Sequence, residues 1–438
     1  MEWQSGLLLM LGLLTFFMMV GMPVVFAFFS VNIIGAYIFL GGDAGLVQVV
    51  RNAIGGIAQI SMVPIPLFIF MGEILYQTGL AAKAIDAVDR LISKLPGRLS
   101  LVAVCGGTVF ASLSGSTMAN TAMLGSTLMP EMMRRGYHPT IAMGPIMATG
   151  GIAMLIPPSA LAVLLGSLAK ISIADLLIGG IVPGLMMAVF FFGYIIIRCS
   201  LNPSLAPVYD SGPMTWKQRY MPFLVNVVPL AGIFVAVVGS ILAGLATPTD
   251  SAALGAVASL LTAVGFRALT WANFKKSVVE TTKVTAMILF IIAGSLTFSQ
   301  LLAFSGAVGG FSQFISGYQL SPLELVIGMM LILLFLGCFM DQVSMMMITL
   351  PLFIPLAQGA GIDLIWLGIL MLIALEIGFT TPPFGLLLYV MKGVAPKHIT
   401  MRQIMISVLP FIGLMLLVLT ILIIWPDVAL WLPSLARD

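Results

Sequence analysis

Charge is what this chain has least of. Only 8% of its 438 residues are Asp, Glu, Lys or Arg, while 60% are hydrophobic and the mean hydropathy is +1.15. Soluble domains carry about 25% charged residues, so this composition excludes an ordinary soluble fold and points to a polytopic membrane protein. No interval is polar enough for a separate soluble domain; the longest weakly apolar one, Asn202 to Arg219, reads as a loop. The net charge of +3 is small and spread over short loops, which argues against nucleic acid as a partner. Histidine is nearly absent: His138 and His398 both lie beside loop prolines or lysines and read as surface residues. The three cysteines, Cys105, Cys199 and Cys338, lack ligand-like spacing and read as small buried side chains. No His-Glu-x-x-His pair, Gly-x-Gly-Asp motif or serine with a membrane histidine is present, which argues against an intramembrane hydrolase. The 31 methionines read as apolar filling, since no Met pair stands beside a His or Cys cluster. The N-terminus has no basic segment or small-residue cleavage site, so its apolar start is expected to be a retained span.

What the chain does have is a pattern stated twice. Sliding the stretch from Phe335 to Val390 back by 225 positions lays Phe335 on Phe110, Pro355 on Pro130, and Pro382-Pro383 on Pro157-Pro158. The earlier window holds five prolines in 56 positions and the later one four. Chance would align roughly 0.4 of them, whereas three align, two being an adjacent pair. Asp341 falls on Ser116, inside the polar cluster Ser112, Ser114, Gly115, Ser116, Thr117 and Asn120.

In chain order, Leu7–Val20 and Val24–Leu40 are apolar and split at Gly21-Met22-Pro23, fitting two short spans or one long kinked one. Gly41–Gly56 reads as a loop. Ile57–Gln77 reads as a span interrupted by Pro64 and Pro66 and carrying Glu73; Ala81–Arg98 is a charged amphipathic connection. Leu99–Leu113 and Met118–Met133 are half-length runs around a Ser/Gly tip, which fits a re-entrant hairpin better than a crossing. Ile141–Ile156 then runs into Pro157-Pro158-Ser159 and a second half, Ala160–Leu168. Two adjacent prolines remove amide donors, so this span is expected to be broken midway. Leu176–Ile197 closes the half. After the loop, Pro222–Leu242 and Ala252–Phe266 read as spans, Trp271–Lys283 as a basic surface stretch, and Ala286–Ala303 as a span. Leu323–Met340 and Val343–Ala357 form a second hairpin around Asp341-Gln342; Leu364–Thr380 and Phe384–Val390 form a second broken span; Ile404–Trp425 ends the membrane part.

Basic residues orient these units. Lys83, Arg90, Lys94 and Arg98 flank the first hairpin's mouth on one side and Arg134 and Arg135 on the other. The second mouth, over 304–322 and 358–363, has no Lys or Arg. By the positive-inside rule the first hairpin opens to the cytoplasm and the second to the opposite side, and the remaining basic loops follow. The expected fold class is therefore an all-α polytopic membrane protein of two inverted-topology repeats, each with a re-entrant helical hairpin and a broken transmembrane helix. The divisions are residues 1–80 (scaffold of the first repeat), 81–170 (first transport unit), 171–303 (connecting and scaffold helices), 304–395 (second transport unit) and 396–438 (C-terminal helix and tail). Such units meeting at mid-membrane are how many secondary transporters build their site.

Broken helices free amides that favour anions, and carbonyls that join Ser and Thr hydroxyls around small hard cations. Ser112, Ser114, Ser116, Thr117 and Asn120 supply such oxygens in the first unit, and Thr380 and Thr381 in the second; Asp341 adds a charge at membrane depth. Plainer roles stand beside these. A Ser/Gly cluster also permits close helix packing, and Asp341 and Asp250 sit where helix N-caps are expected. Glu73 and Glu376 read first as acids facing a polar crevice, with coupling carboxylates as the alternative. No arginine lies in either repeat core, so an anion would rest on backbone donors and hydroxyls.

The chain resembles, over nearly its whole length, the large membrane subunit (DctM type) of tripartite ATP-independent periplasmic (TRAP) transporters. The resemblance is carried by the run from Pro66 to Leu75, by Phe110-Ala111-Ser112-Leu113-Ser114-Gly115-Ser116, and by Pro130-Glu131-Met132 with Arg134-Arg135-Gly136-Tyr137. Further on come Ile156-Pro157-Pro158-Ser159, Gly180-Ile181-Val182-Pro183-Gly184, Thr247-Pro248-Thr249-Asp250 and Thr381-Pro382-Pro383-Phe384-Gly385. It implies a sodium-coupled, elevator-type uptake system for a small organic anion, usually a carboxylate, in the bacterial inner membrane. The implied partners are a small four-helix membrane subunit and a periplasmic substrate-binding protein; the implied ion is Na+, with no organic cofactor and no enzymatic activity. It also implies an ion site over Ser112, Ser114, Gly115, Pro157, Asp341, Thr380, Thr381 and Pro382. The expected substrate pocket comprises Ser116 and Pro158, which the resemblance implies, with Thr117, Asn120, Ser159 and Pro383 beside them. Two departures bear on the ligand list: Ala246 and Asp250 where the family commonly has an aromatic and a Glu, and Asp341-Gln342 where it commonly has Asp-Pro. A self-sufficient sodium- or proton-coupled carboxylate symporter or antiporter of the same architecture is the alternative; paired broken units argue against a channel.

Overall fold

The computed structural model describes residues 2–92, 95–114, 117–207, 215–383 and 385–437, with the backbone alone over 109–114 and at 437. Every regular element among them is helical. Among the described residues, six helices or joined helices are long and apolar enough to cross a membrane, seven when one bent pair is counted as a span. The outer faces of these and other helices expose large apolar side chains such as Phe16, Val189, Leu261 and Phe335. A soluble monomer does not present apolar surface on that scale, whereas a bilayer covers it.

The first half holds α1 (Trp3–Met19), α2 (Val24–Phe39), α3 (Asp43–Ile57), α4 (Pro64–Gln77), α5 (Leu80–Leu91), α6 (Arg98–Ser114), α7 (Thr117–Arg134), α8 (Pro139–Leu155), α9 (Ala160–Ala169), α10 (Ile173–Gly179) and α11 (Ile181–Leu201). The second holds α12 (Trp216–Asn226), α13 (Val228–Leu242), α14 (Pro248–Gly265), α15 (Trp271–Phe304), α16 (Ala307–Ser316), α17 (Pro322–Gly337), α18 (Gln342–Gly359), α19 (Leu364–Thr380), α20 (Leu386–Val394), α21 (Met401–Ile424) and α22 (Asp427–Arg437). The spacing of 225 read from prolines returns in helix bounds. It separates both ends of α7 from both ends of α18, and both ends of α8 from both ends of α19.

Local chemistry repeats at the same spacing. After α7, Gly136 (φ +76°) turns the chain, and Tyr137 N–H donates back to the Met132 carbonyl at 3.0 Å. After α18, Gly361 (φ +67°) does the same, and Ile362 N–H donates to the Ala357 carbonyl at 2.9 Å. Both are left-handed C-terminal caps, a conformation that glycine adopts without Cβ strain. The next helices, α8 and α19, open on side-chain caps from His138 and Asp363.

α8 and α19 form the centre. Every residue from Ile141 to Leu155 and from Ile365 to Thr380 is buried, as their all-round apolar sequences require. Around them the packing pairs cross between halves: α9 packs on α18 and α20 on α7, while α2 packs on α15 and α14 on α4.

One reading left open resolves, and four others change. The first 40 residues form two helices packed on each other, α1 and α2. Gly41–Gly56 is largely a helix, α3, whose buried positions Gly45, Val49 and Gly56 lie on one face. Pro64 and Pro66 start α4 instead of interrupting it, occupying first-turn positions where no amide is needed. The basic stretch and the following span are one 34-residue helix, α15. The loop after α11 is also shorter than expected, because a capping box at Thr215 starts α12 at Trp216.

Candidate functional site

The two hairpins, α6–α7 and α17–α18, bring their second helices to one point. Thr117, the first residue of α7, donates its hydroxyl to Glu376 Oε2 at 3.2 Å. Gln342, the first residue of α18, donates Nε2–H to the same oxygen and also reaches Met154 Sδ on α8 at 3.6 Å. Glu376 lies on α19 with 1% of its surface exposed, and Oε1 has no hydrogen-bond partner among the described residues. Room for this carboxyl comes from Gly150 on α8: a Cβ there would stand 2.3 Å from Oε1 and 2.1 Å from Thr117 Cγ2. One turn into α7, Asn120 donates to Thr149 Oγ1 at 2.7 Å, and its own Oδ1 has no partner among the described residues.

The helix breaks lie beside this point. α8 ends at Leu155 and α9 begins at Ala160, bent by 43° across Pro157 and Pro158. Buried Ser159 caps α9, its Oγ accepting from Ala162 N–H at 3.2 Å. In the second break, Thr381 donates to the Ile377 carbonyl at 2.5 Å, and buried Thr380 donates to the Glu376 carbonyl. Cys338, just past α17, approaches the Pro382 carbonyl at 3.8 Å and so ties the hairpin to the break. Pro157-Pro158 and Pro382-Pro383 are both cis.

Of the residues expected from sequence, Thr117 and Asn120 therefore sit on the buried face of α7 against α8 and α19. Pro157, Pro158, Ser159, Thr380, Thr381, Pro382 and Pro383 sit at the breaks. Ser112 and Ser114 end α6, their side chains outside the described atoms; Gly115 and Ser116 lie outside the described residues. Asp341 is spent on a helix cap. Its Oδ1 accepts from Val343 N–H at 3.0 Å and Ser344 N–H at 3.1 Å, and its Oδ2 from the Ser344 hydroxyl. No hydrogen bond among the described residues joins it to Thr380 or Thr381. Asp250 likewise closes a capping box with Thr247, and Glu73 accepts from Gln77 at 2.9 Å within α4. No cluster of three His, Cys, Asp or Glu suited to a metal occurs among the described residues. A hard monovalent cation would instead draw on hydroxyls and freed carbonyls, the donor set at these breaks.

A cavity of about 290 Å³ opens between α9, α15 and α18, lined by Lys170, Ser295, Ser299, Pro351, Pro355 and Gln358. Lys170 is its cationic side chain, placed by the left-handed end of α9 at φ +55°. A larger cleft of about 700 Å³ lies away from both breaks, between α5 and α12, among Lys83, Asp86, Arg90 and Lys217. Burial there pushes the Asp86 carboxyl above the usual range, against the opposing pull of Arg90.

The family model for the DctM component of tripartite ATP-independent periplasmic transporters matches residues 11–428. The chain belongs to the DctM family. It is 31% identical over 379 residues to the C4-dicarboxylate TRAP transporter large permease protein DctM of Pseudomonas aeruginosa, covering 85% of this chain and 86% of that one. It is 28% identical to the ectoine large permease TeaC of Halomonas elongata, covering 98% of each. To the sialic acid large permease SiaM of Vibrio cholerae it is 29% identical, covering 95% of each. Among solved structures, the YdaH transporter of Alcanivorax borkumensis shares the fold at a TM-score of 0.63, with 14% identity over 90% of this chain and 91% of that one. The protein is thus a TRAP-type large permease.

Sequence reasoning missed the focus of the geometry. Glu376 and Gln342 stood in the sequence as a crevice acid and a residue beside the tip, and Lys170 was not singled out. The signal available was register: Thr117 and Gln342 are 225 apart, as are Gly151 and Glu376. A Cβ at Gly151 would lie 3.5 Å from Glu376 Cγ.

Proposed function

We propose that this DctM-family permease carries out sodium-coupled secondary uptake of a small organic anion across the inner membrane. In this proposal its two halves are inverted-topology repeats. The hairpins and broken helices move as an elevator body against a scaffold built on α2, α4, α13, α14 and α15. The observation that carries it is the convergence of hairpins from both halves, with a broken helix beside each, on one buried point at Glu376. Freed carbonyls and hydroxyls at the breaks suit Na+, and the half-helix start capped by Ser159 suits an anionic group. Lys170 in the neighbouring cavity adds a positive charge on the face between hairpin and scaffold. The named relatives span C4-dicarboxylates, ectoine and sialic acid, so substrate choice within the family is wide. A carboxylate is the class that suits the chemistry present here.

A small membrane subunit and a periplasmic binding protein complete the proposed system. The isethionate permease DctMQ of Oleidesulfovibrio alaskensis matches 96% of this chain, yet the match covers only 65% of its own length. That leaves room in the longer relative for a fused second component.

Thermal unfolding in sodium against equal potassium tests the ion. A cation that binds only the folded state stabilises by about 2.7 kcal/mol at a hundredfold excess over Kd. The expected result is a sodium-specific rise in Tm that shrinks in Ser114→Ala and Thr381→Val and persists in Ser316→Ala on the exposed α16. Equal Tm in the two salts, with all variants alike, would contradict sodium at the tips.

A further inference from the structure

We propose that Glu376 is a positioning residue that ties the second helices of the two hairpins to one carboxyl oxygen, so that displacing either hairpin is felt by the other. The ion and substrate sites proposed above lie at these hairpins, so the tie would couple the filling of one to the readiness of the other. Thr117 and Gln342 begin their helices, come from opposite halves of the chain, and both donate to Oε2. Gln342 also reaches Met154 Sδ on α8 at 3.6 Å, but among the described residues Glu376 Oε2 is the one acceptor to which both helix starts donate.

The surroundings fit a tie better than an ion cage. A Cβ on Gly150 would stand 2.3 Å from Oε1, so α8 closes tightly on the carboxyl from that side. Nor is the carboxyl explained as filling. Glu376 is an acid in a helix whose other buried positions from Ile365 to Phe379 carry no acid or base. A leucine would fill the same volume without leaving Oε1 unpartnered in a buried, apolar setting. What a leucine does not supply is an acceptor reachable from both hairpins at once.

Amide exchange in purified full-length protein tests this, in potassium and without substrate, for wild type, Glu376→Gln and Glu376→Leu. Glutamine keeps a carbonyl oxygen that can accept from both donors; leucine accepts from neither. The expected result for Glu376→Leu is a rise of roughly fivefold in exchange over 117–125 and 342–350 together, about the factor for one lost hydrogen bond. Exchange in α4 and α14 should stay unchanged, and Glu376→Gln should behave as wild type. Loosening of one hairpin only, equal behaviour of Gln and Leu, or a uniform rise through α4 and α14 would overturn the proposal. Should Glu376→Leu fail to fold, Thr117→Val and Gln342→Leu carry the same test. Because either substitution alone breaks the tie, their combined effect should fall short of the product of the single effects, and simple multiplication would overturn the tie.

Repeating the series in sodium separates this from the ion proposal. If sodium binds at the hairpins, it lowers exchange at both, and Asp341→Asn weakens its protection of 117–125 in wild type but not in Glu376→Leu. Sodium without effect on any variant contradicts the ion sites alone, and the potassium series still decides the tie.

Discussion

Gly150 shows how much one missing methyl matters. In helices that pack within a bilayer, small residues let neighbours approach closely, and here the neighbour admitted is a carboxyl already shared by two hairpins. A Cβ at 150 would overlap Thr117 Cγ2 and Glu376 Oε1 together. Gly150→Ala should therefore lower unfolding stability by about 1–3 kcal/mol, the range for overpacking a tight core. Gly12→Ala, with nothing within 4 Å of its new Cβ, should lose none. Denaturant or thermal unfolding in detergent reads the difference; equal losses would mean that Gly150 is not a close-contact site. At this scale the sequence was only partly legible. Ser159 beside its two prolines declares a helix break and a cap by local chemistry. Glu376 declares nothing, because Thr117 lies 259 positions away and no local pattern encodes that pairing.

Among elements, starts and stops were the readable part. Thr247-Pro248-Thr249-Asp250 and Ser321-Pro322-Leu323-Glu324 are capping boxes with proline at the first helical position. The helix entry read at Asp250 is there, although α14 starts at Pro248 and not at Ala252. α3 was lost because glycines at 41, 42, 55 and 56 suggested a loop, although its buried positions recur at helical spacing. α15 was split in two where the chain changes from basic to apolar. Nothing between Trp271 and Ala293 is a Gly or Pro that would break a helix. How elements touch was not legible at all. α17 crosses α19 at Gly337 and Gly378, where a Cβ at 337 would come 2.3 Å from Gly378 Cα. That neighbour is backbone and cannot rotate away, so Gly337→Ala should lower Tm and destabilise by about 1–3 kcal/mol. Gly328→Ala, in open space on the same helix, should leave Tm unchanged. A neutral Gly337→Ala would contradict the tight seating of the second hairpin on its broken span.

For the whole molecule, the proline spacing foretold more than a repeated motif. Helix bounds, glycine turns and N-caps recur at 225, and packing partners exchange between halves. Bilayer physics explains why so much survived in the sequence: a span or hairpin must satisfy its own backbone, so each break leaves a visible proline, glycine or cap. The packing of one unit against the other leaves no such mark, because apolar side chains facing a helix or a lipid look alike. Opposed orientation of the two units is the claim on which alternating access from this architecture depends. Single-cysteine labelling tests it most directly, with Cys105, Cys199 and Cys338 replaced. Ser204→Cys lies beside the first hairpin's mouth, where Leu205 accepts from His138 N–H at 2.8 Å, and Ser316→Cys lies on exposed α16 beside the second. A membrane-impermeant maleimide should label Ser204→Cys only in inside-out vesicles and Ser316→Cys only in intact spheroplasts. Labelling of both from the same side would contradict the inverted pair.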